Sequence, residues 1–159
     1  YPLRRQRQMC IRDSFTGDDM KILLAVDGSA YTKKMLAYLA AHDGLLTPNH
    51  DYHLLTVQPE LPPRARAALG KEAVTTFYAE ESDRVLKPVE THLARRGIAS
   101  KRVVKTGSAG QVIANVAQAG AYDLVVMGSH GKSALGNLII GSVATKVLAE
   151  CKVPVLIVR

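Results

Sequence analysis

The chain has 159 residues, 47% hydrophobic and 22% charged, which suits one soluble globular domain with a full core. No apolar run approaches the ~20 residues of a membrane span, and two cysteines, Cys10 and Cys151, are too few for a disulfide framework, so a reducing cytoplasm is the expected compartment. The net charge of +7 favours anionic partners, but the basic residues are scattered and there is no Trp, so neither a basic stripe nor a stacking platform marks a nucleic-acid surface.

Residues 1–19, YPLRRQRQMCIRDSFTGDD, have four arginines and no sustained periodicity. Asp13, Asp18 and Asp19 argue against a transit peptide, and no apolar stretch follows the arginines to make a secretory signal. The segment reads as a disordered extension or an artefact, and the domain is expected over residues 20–159.

From Met20 the elements follow in order. Lys21 to Asp27, KILLAVD, is a short apolar run closed by Gly28 and reads as a strand buried on both faces. Ser29 is the expected N-cap of a helix reaching about His42, with Met35, Leu36, Leu39 and Ala40 inward and Gly44 just past its end. Tyr52 to Val57 is the second strand. A long helix is expected from about Arg64 to Arg96, its start delayed by Gly70, with a kink at Pro88 and a stop at Gly97. Ile98 to Thr106 is the third strand, centred on Val103 and Val104. The next helix, Ser108 to Ala119, turns Val112, Ile113, Val116 and Ala117 inward. Tyr122 to Met127, a helix from Val143 to Glu150, and Val153 to Val158 complete the series. Cys151, at the end of that last helix, is expected as a small buried hydrophobe.

Five alternations of strand and helix predict an α/β fold: a five-stranded parallel sheet, doubly wound, of Rossmann-like architecture. In such sheets ligands sit beyond the C-terminal strand ends, where the strand order reverses. If the first and fourth strands flank that point, Asp27 and Gly128 face each other across the crevice. Asp123 would then lie at the opposite end.

After the fourth strand comes Gly128-Ser129-His130-Gly131, then nine residues, then Gly141-Ser142 at a helix start. Glycines admit a ligand close to the backbone, and a helix N-terminus offers free N–H groups to an anion. Similar motifs fail on inspection. Gly131-Lys132-Ser133 lacks the upstream glycine of a Walker A loop, which would fall at Val126. Gly136-x4-Gly141-Ser142 lacks the lysine, and no Gly-x-Gly-x-x-Gly follows the first strand.

These features resemble the universal stress protein family, in its ATP-binding branch, over about residues 20–159. The resemblance rests on Asp27-Gly28-Ser29, Val57, the Gly-x2-Gly-x9-Gly-Ser signature and the closing Val153-Pro154-Val155. It implies an adenine-nucleotide-binding fold whose site comprises Ala25, Val26, Asp27, Val57, Met127, Gly128, Ser129, His130, Gly131, Lys132, Gly141, Ser142 and Val143. In this reading Asp27 faces the ribose or adenine, Val57 offers its backbone to the adenine edge, and Met127 and Gly128 wall the ribose. Gly141, Ser142 and Val143 cradle phosphate. Each has a plainer reading: turn former for Asp27, core valine for Val57, helix start for Gly141-Ser142, solvated charge for Lys132, loop packing for His130.

No catalytic pair and no metal-ligand set is visible; the resemblance implies ATP as the cofactor, and a bound ATP would bring its own Mg2+. The resemblance implies a stress-response regulator with at most slow hydrolysis or autophosphorylation, acting as a homodimer through the Val153 to Val158 edge strand, with no nucleic-acid or membrane partner. The alternatives are an interaction module of the same fold that ignores nucleotide, and an adenine-nucleotide hydrolase or transferase. The complete glycine signature counts against the module, since a purely structural loop would have no need of every position.

Overall fold

The computed structural model describes residues 19–42, 44–132 and 139–159. The leading segment, apart from Asp19, lies outside the described residues, as do Asp43 and residues 133–138.

The elements run β1 (Lys21–Ala25), α1 (Ala30–Ala41), β2 (Asp51–Gln58), α2 (Pro63–Ala94), β3 (Ser100–Thr106), α3 (Ala109–Ala119), β4 (Leu124–Gly128), α4 (Ser142–Glu150) and β5 (Val155–Val158). All strands pair in parallel, in the order β3-β2-β1-β4-β5. The chain therefore builds outward from β1 on one side, then returns to build β4 and β5 on the other. The reversal falls between β1 and β4, with Ala25 in register with Met127.

Alternation along each strand feeds two cores. Ile22 and Leu24 of β1 face α1 and α2, packing with Met35, Leu39, Leu86 and Leu93. Leu23, Leu55, Val125 and Met127 face α3 and α4, packing with Ile113, Ala117 and Val147. Because both faces are covered, the central strands are continuously apolar, as KILLA and LVVMG are. Cys151 is partly buried against the second core. No helix among the described residues is long and apolar enough to cross a membrane.

Three expectations are corrected. The long helix starts at Pro63 and is broken at Gly70, whose φ of 80° and ψ of 163° are non-helical, while it continues through Pro88. A proline removes one hydrogen bond, but a glycine tolerates the left-handed region outright. Val104 is exposed rather than central, because β3 is a sheet edge whose residues are mostly exposed. On α3 Ile113 and Ala117 are fully buried and Val116 packs half-buried against the second core, as expected, but Val112 joins neither core and Gly110 and Ala114 are fully buried in addition. Small residues take the close approach to α4, since a Cβ on Gly110 would fall 2.5 Å from Cβ of Lys146.

Two polar devices fix the periphery. Tyr52 is wholly buried, accepts the Thr47 N–H at 2.9 Å and donates to the Leu45 carbonyl at 3.1 Å. Burial pushes its phenol pKa up, so it stays a neutral donor. On the edge, Arg102 of β3 grips Glu90 bidentately and Asp83 at 2.6 Å, both on α2. Glu90 is held below its ordinary 4.5 chiefly by the Arg102 hydrogen bond, and Asp83 below 3.8 by Lys87 first and Arg102 second.

Tyr52→Phe leaves the Thr47 amide without its acceptor and is expected to cost about 1–3 kcal/mol in urea unfolding. A depressed carboxyl pKa stabilises above its unfolded value and ceases to do so as pH falls through the folded one. Arg102→Met is therefore expected to lower Tm by only about 2 °C at pH 7, with the gap to the parent closing below pH ~4; a gap that widens in acid contradicts the assignment.

Candidate functional site

At its C-terminal end β1 leaves the sheet through Val26, whose N–H still reaches the Leu55 carbonyl at 2.9 Å. Asp27 follows, then Gly28 with φ of 77°, which turns the chain into α1. Asp27 Oδ1 accepts the Ser29 N–H at 2.9 Å and the Thr32 hydroxyl at 2.9 Å. In return the Asp27 N–H donates to Thr32 Oγ1 at 3.3 Å. Ser29 occupies the N-cap position but makes no side-chain cap bond, and its buried Oγ has no hydrogen-bond partner. The cap expected of Ser29 is not made; Asp27 instead fixes the turn that leads into α1 by accepting the Ser29 N–H and the Thr32 hydroxyl, so its turn-forming role is real.

Opposite, β4 ends at Gly128, where α1 crosses so closely that an added Cβ would lie 2.7 Å from Cβ of Tyr31. Ser129 knots the ends together: its N–H donates to the Val158 carbonyl and its own carbonyl accepts the Gly141 N–H, each at 2.8 Å. His130 is buried, with Nδ1 2.9 Å from Ser129 Oγ and its ring 4.9 Å from that of Tyr31. These contacts match a loop-packing histidine. A Cβ on Gly131 would stand 3.0 Å from Asp27 Oδ2, and one on Gly141 would stand 3.1 Å from the Ser129 carbonyl.

All three signature glycines thus have internal reasons to lack a side chain. The fold itself excludes a side chain at Gly128, whereas the contacts at Gly131 and Gly141 are tight without being prohibitive, so the glycine set alone does not separate a nucleotide binder from a bare module.

The Gly141 N–H is taken by Ser129, so the first α4 amides without an intrahelical acceptor are those of Ser142, Val143 and Ala144. They face a cavity of about 590 Å³ between the ends of β1 and β4, ample for a small ligand. All thirteen residues singled out from the sequence line it: Ala25, Val26, Asp27, Val57, Met127, Gly128, Ser129, His130, Gly131, Lys132, Gly141, Ser142 and Val143. Lys132 is exposed, and its Cε lies 4.0 Å from where a Gly28 Cβ would be, so the side chain arches over the β1–α1 turn.

Thr32, Leu55, Ala109, Ile113 and Ala144 also line the cavity and were missed. Thr32 had a signal, a hydroxyl residue three beyond the N-cap position and able to reach back. Ile113 was legible only as an inward-facing apolar residue.

The wall grades in chemistry. Leu55, Val57, Ile113 and Met127 make an apolar side, Asp27 is the one carboxylate, and the α4 N-terminus is electropositive. Asp123 lies at the far end of the sheet, where its Oδ2 accepts the Lys21 N–H at 2.8 Å. Among the described residues no group of three His, Cys, Asp or Glu could hold a metal ion. Asp27 supplies one hard oxygen, compatible with a cation brought in by a phosphate ligand.

Comparison with known proteins sets this geometry in context. The sequence profile of the universal stress protein family matches residues 20–159. A universal stress protein of Thermus aquaticus is 32% identical over 139 residues, covering 87% of this chain and 97% of that protein. A second relative, universal stress protein Slr1230 of Synechocystis, is 31% identical, and the match spans only 42% of its length. Among solved structures, protein MJ0577 of Methanocaldococcus jannaschii superimposes with a TM-score of 0.74 at 26% identity, over 87% of this chain and 94% of that one. A universal stress protein family structure from Arabidopsis thaliana, with AMP bound, shares the fold at a TM-score of 0.62 and 17% identity, over 87% of this chain and 90% of that one. The chain belongs to the universal stress protein family.

Proposed function

We propose that the cavity binds an adenine nucleotide, ATP with its own Mg2+, and that this stress protein is a cytoplasmic regulator working as a dimer, with at most slow hydrolysis or autophosphorylation. The observation that carries the reading is the order of chemistry along one wall. An apolar slot at Leu55, Val57 and Ile113 suits a base, the Asp27 carboxylate suits its donor groups or those of the sugar, and the amides of Ser142, Val143 and Ala144 suit phosphate. Solved relatives of the same fold are described with AMP, dAMP or cAMP, all adenine ligands.

Binding would act as a conformational clamp. Gly131 lies against Asp27 and Gly141 sits at the start of α4, so a ligand touching both would stabilise one conformation of the Gly128–Gly141 loop. Turnover has little to work with: Asp27 already engages Oδ1 in α1, and no second carboxylate lines the described wall. The non-nucleotide module remains the second reading, because the glycines have internal reasons to be glycine.

The dimer reading rests on unequal edges. β3 carries Lys101, Arg102 and Lys105 on its edge, whereas β5 offers half-buried Val155, Leu156 and Ile157 behind Pro154.

Ser142→Asp puts a like charge where phosphate is expected, at an exposed first-turn position that tolerates an acid. Calorimetry should show ATP affinity falling at least ~10-fold with Tm unchanged or raised; unchanged affinity removes phosphate from the α4 N-terminus. Light scattering should give twice the chain mass. A monomeric parent protein refutes the edge pairing.

A further inference from the structure

We propose that Thr32 is the positioning residue of this site: its hydroxyl holds the Asp27 carboxylate so that Oδ1 is engaged within the protein and Oδ2 faces a hydroxyl or amino donor of the bound nucleoside. The proposal rests on the nucleotide reading above.

Thr32 is buried, with 5% of its surface exposed, yet it lines the cavity beside Asp27. It sits three residues past the N-cap position of α1, where helix geometry directs a side chain back toward the helix start. Its hydroxyl works in both directions. The oxygen accepts the Asp27 N–H at 3.3 Å, and the proton goes to Asp27 Oδ1 at 2.9 Å. With the Ser29 N–H also on Oδ1, that oxygen has two donors and the carboxylate cannot rotate freely.

The second oxygen is constrained from the other side. Oδ2 lies so near Gly131 that a Cβ there would come within 3.0 Å. Thr32 thus fixes the angle of the carboxylate, and the bare Cα of Gly131 leaves room for Oδ2 at that angle. A carboxylate held this way presents one acceptor in one direction, which suits directional recognition of a donor. Valine at this position would keep the volume and the helical fit while removing both hydrogen bonds.

The test compares Thr32→Val, Thr32→Ser and the Asp27→Ala background by ATP calorimetry. Thr32→Val is expected to weaken ATP binding about tenfold, and Thr32→Ser to stay within about twofold of the parent, since it restores the hydroxyl. In the Asp27→Ala background Thr32→Val should have almost no further effect, because there is no carboxylate left to aim. An equal loss in both backgrounds overturns the proposal, as does a serine variant as weak as the valine. A second readout needs no ligand: amide exchange at Asp27 and Ser29 should speed up in Thr32→Val and not in Thr32→Ser. Should the unmodified protein fail to bind ATP, the nucleotide reading fails and the ligand-facing half of the proposal with it; unchanged exchange in Thr32→Val would independently refute the clamp.

Discussion

The parallel pairing of β1 with β4 is the constraint that the remaining architecture obeys. These strands are consecutive in space but separated in sequence by α1, β2, α2, β3 and α3. Their connections leave in opposite senses, one into α1 on the first face and one into α4 on the second. No helix can cover the point where the two paths diverge, so a crevice opens there by topology alone. The register that puts Ala25 beside Met127 then brings Asp27 against Gly131, while Gly128 packs on Tyr31. Loss of that pairing would divide the cavity wall and merge the two cores.

Around the crevice the chain solves two problems with the same groups. Asp27 closes the first turn of α1 and also supplies the carboxylate of the cavity. Ser129 links β4, β5 and the α4 start through backbone hydrogen bonds, while its hydroxyl steadies His130. Gly128 yields to Tyr31, whose ring in turn lies against that of His130. Such sharing holds Asp27, Ser129 and His130 in place on the cavity wall, since each is anchored inside the fold.

Much of this was legible from residue order. Apolar runs such as KILLA and LVVMG can hardly be anything but doubly covered strands, and their alternation with helices leaves few topologies. The cavity residues were found because strand ends and glycine spacing are local features. What stayed hidden depended on distant partners. Whether Val104 was buried turned on β3 being an edge, which only strand order decides. The break at Gly70 rather than Pro88 reflects which position could adopt a positive φ at little cost, a balance that spacing does not reveal. Ser29 reads as a cap, yet its hydroxyl caps nothing, and the turn at Gly28 instead brings Asp27 onto the Ser29 N–H and the Thr32 hydroxyl. The glycines carry two meanings at once: their spacing suggests a ligand, while their near neighbours in the fold are other parts of the chain.

The two margins of the sheet differ in kind. β3 is lined with Lys101, Arg102 and Lys105, and Arg102 is clamped onto α2. β5 is hydrophobic along its length. If two such sheets met at β5, the enlarged sheet would end on both sides in a charged, ion-paired edge, Lys101 with Asp51 and Arg102 with Asp83 and Glu90, which is a poor template for another strand. In the proposed dimer such an edge would halt growth after one addition and close the route from sheet extension to fibres.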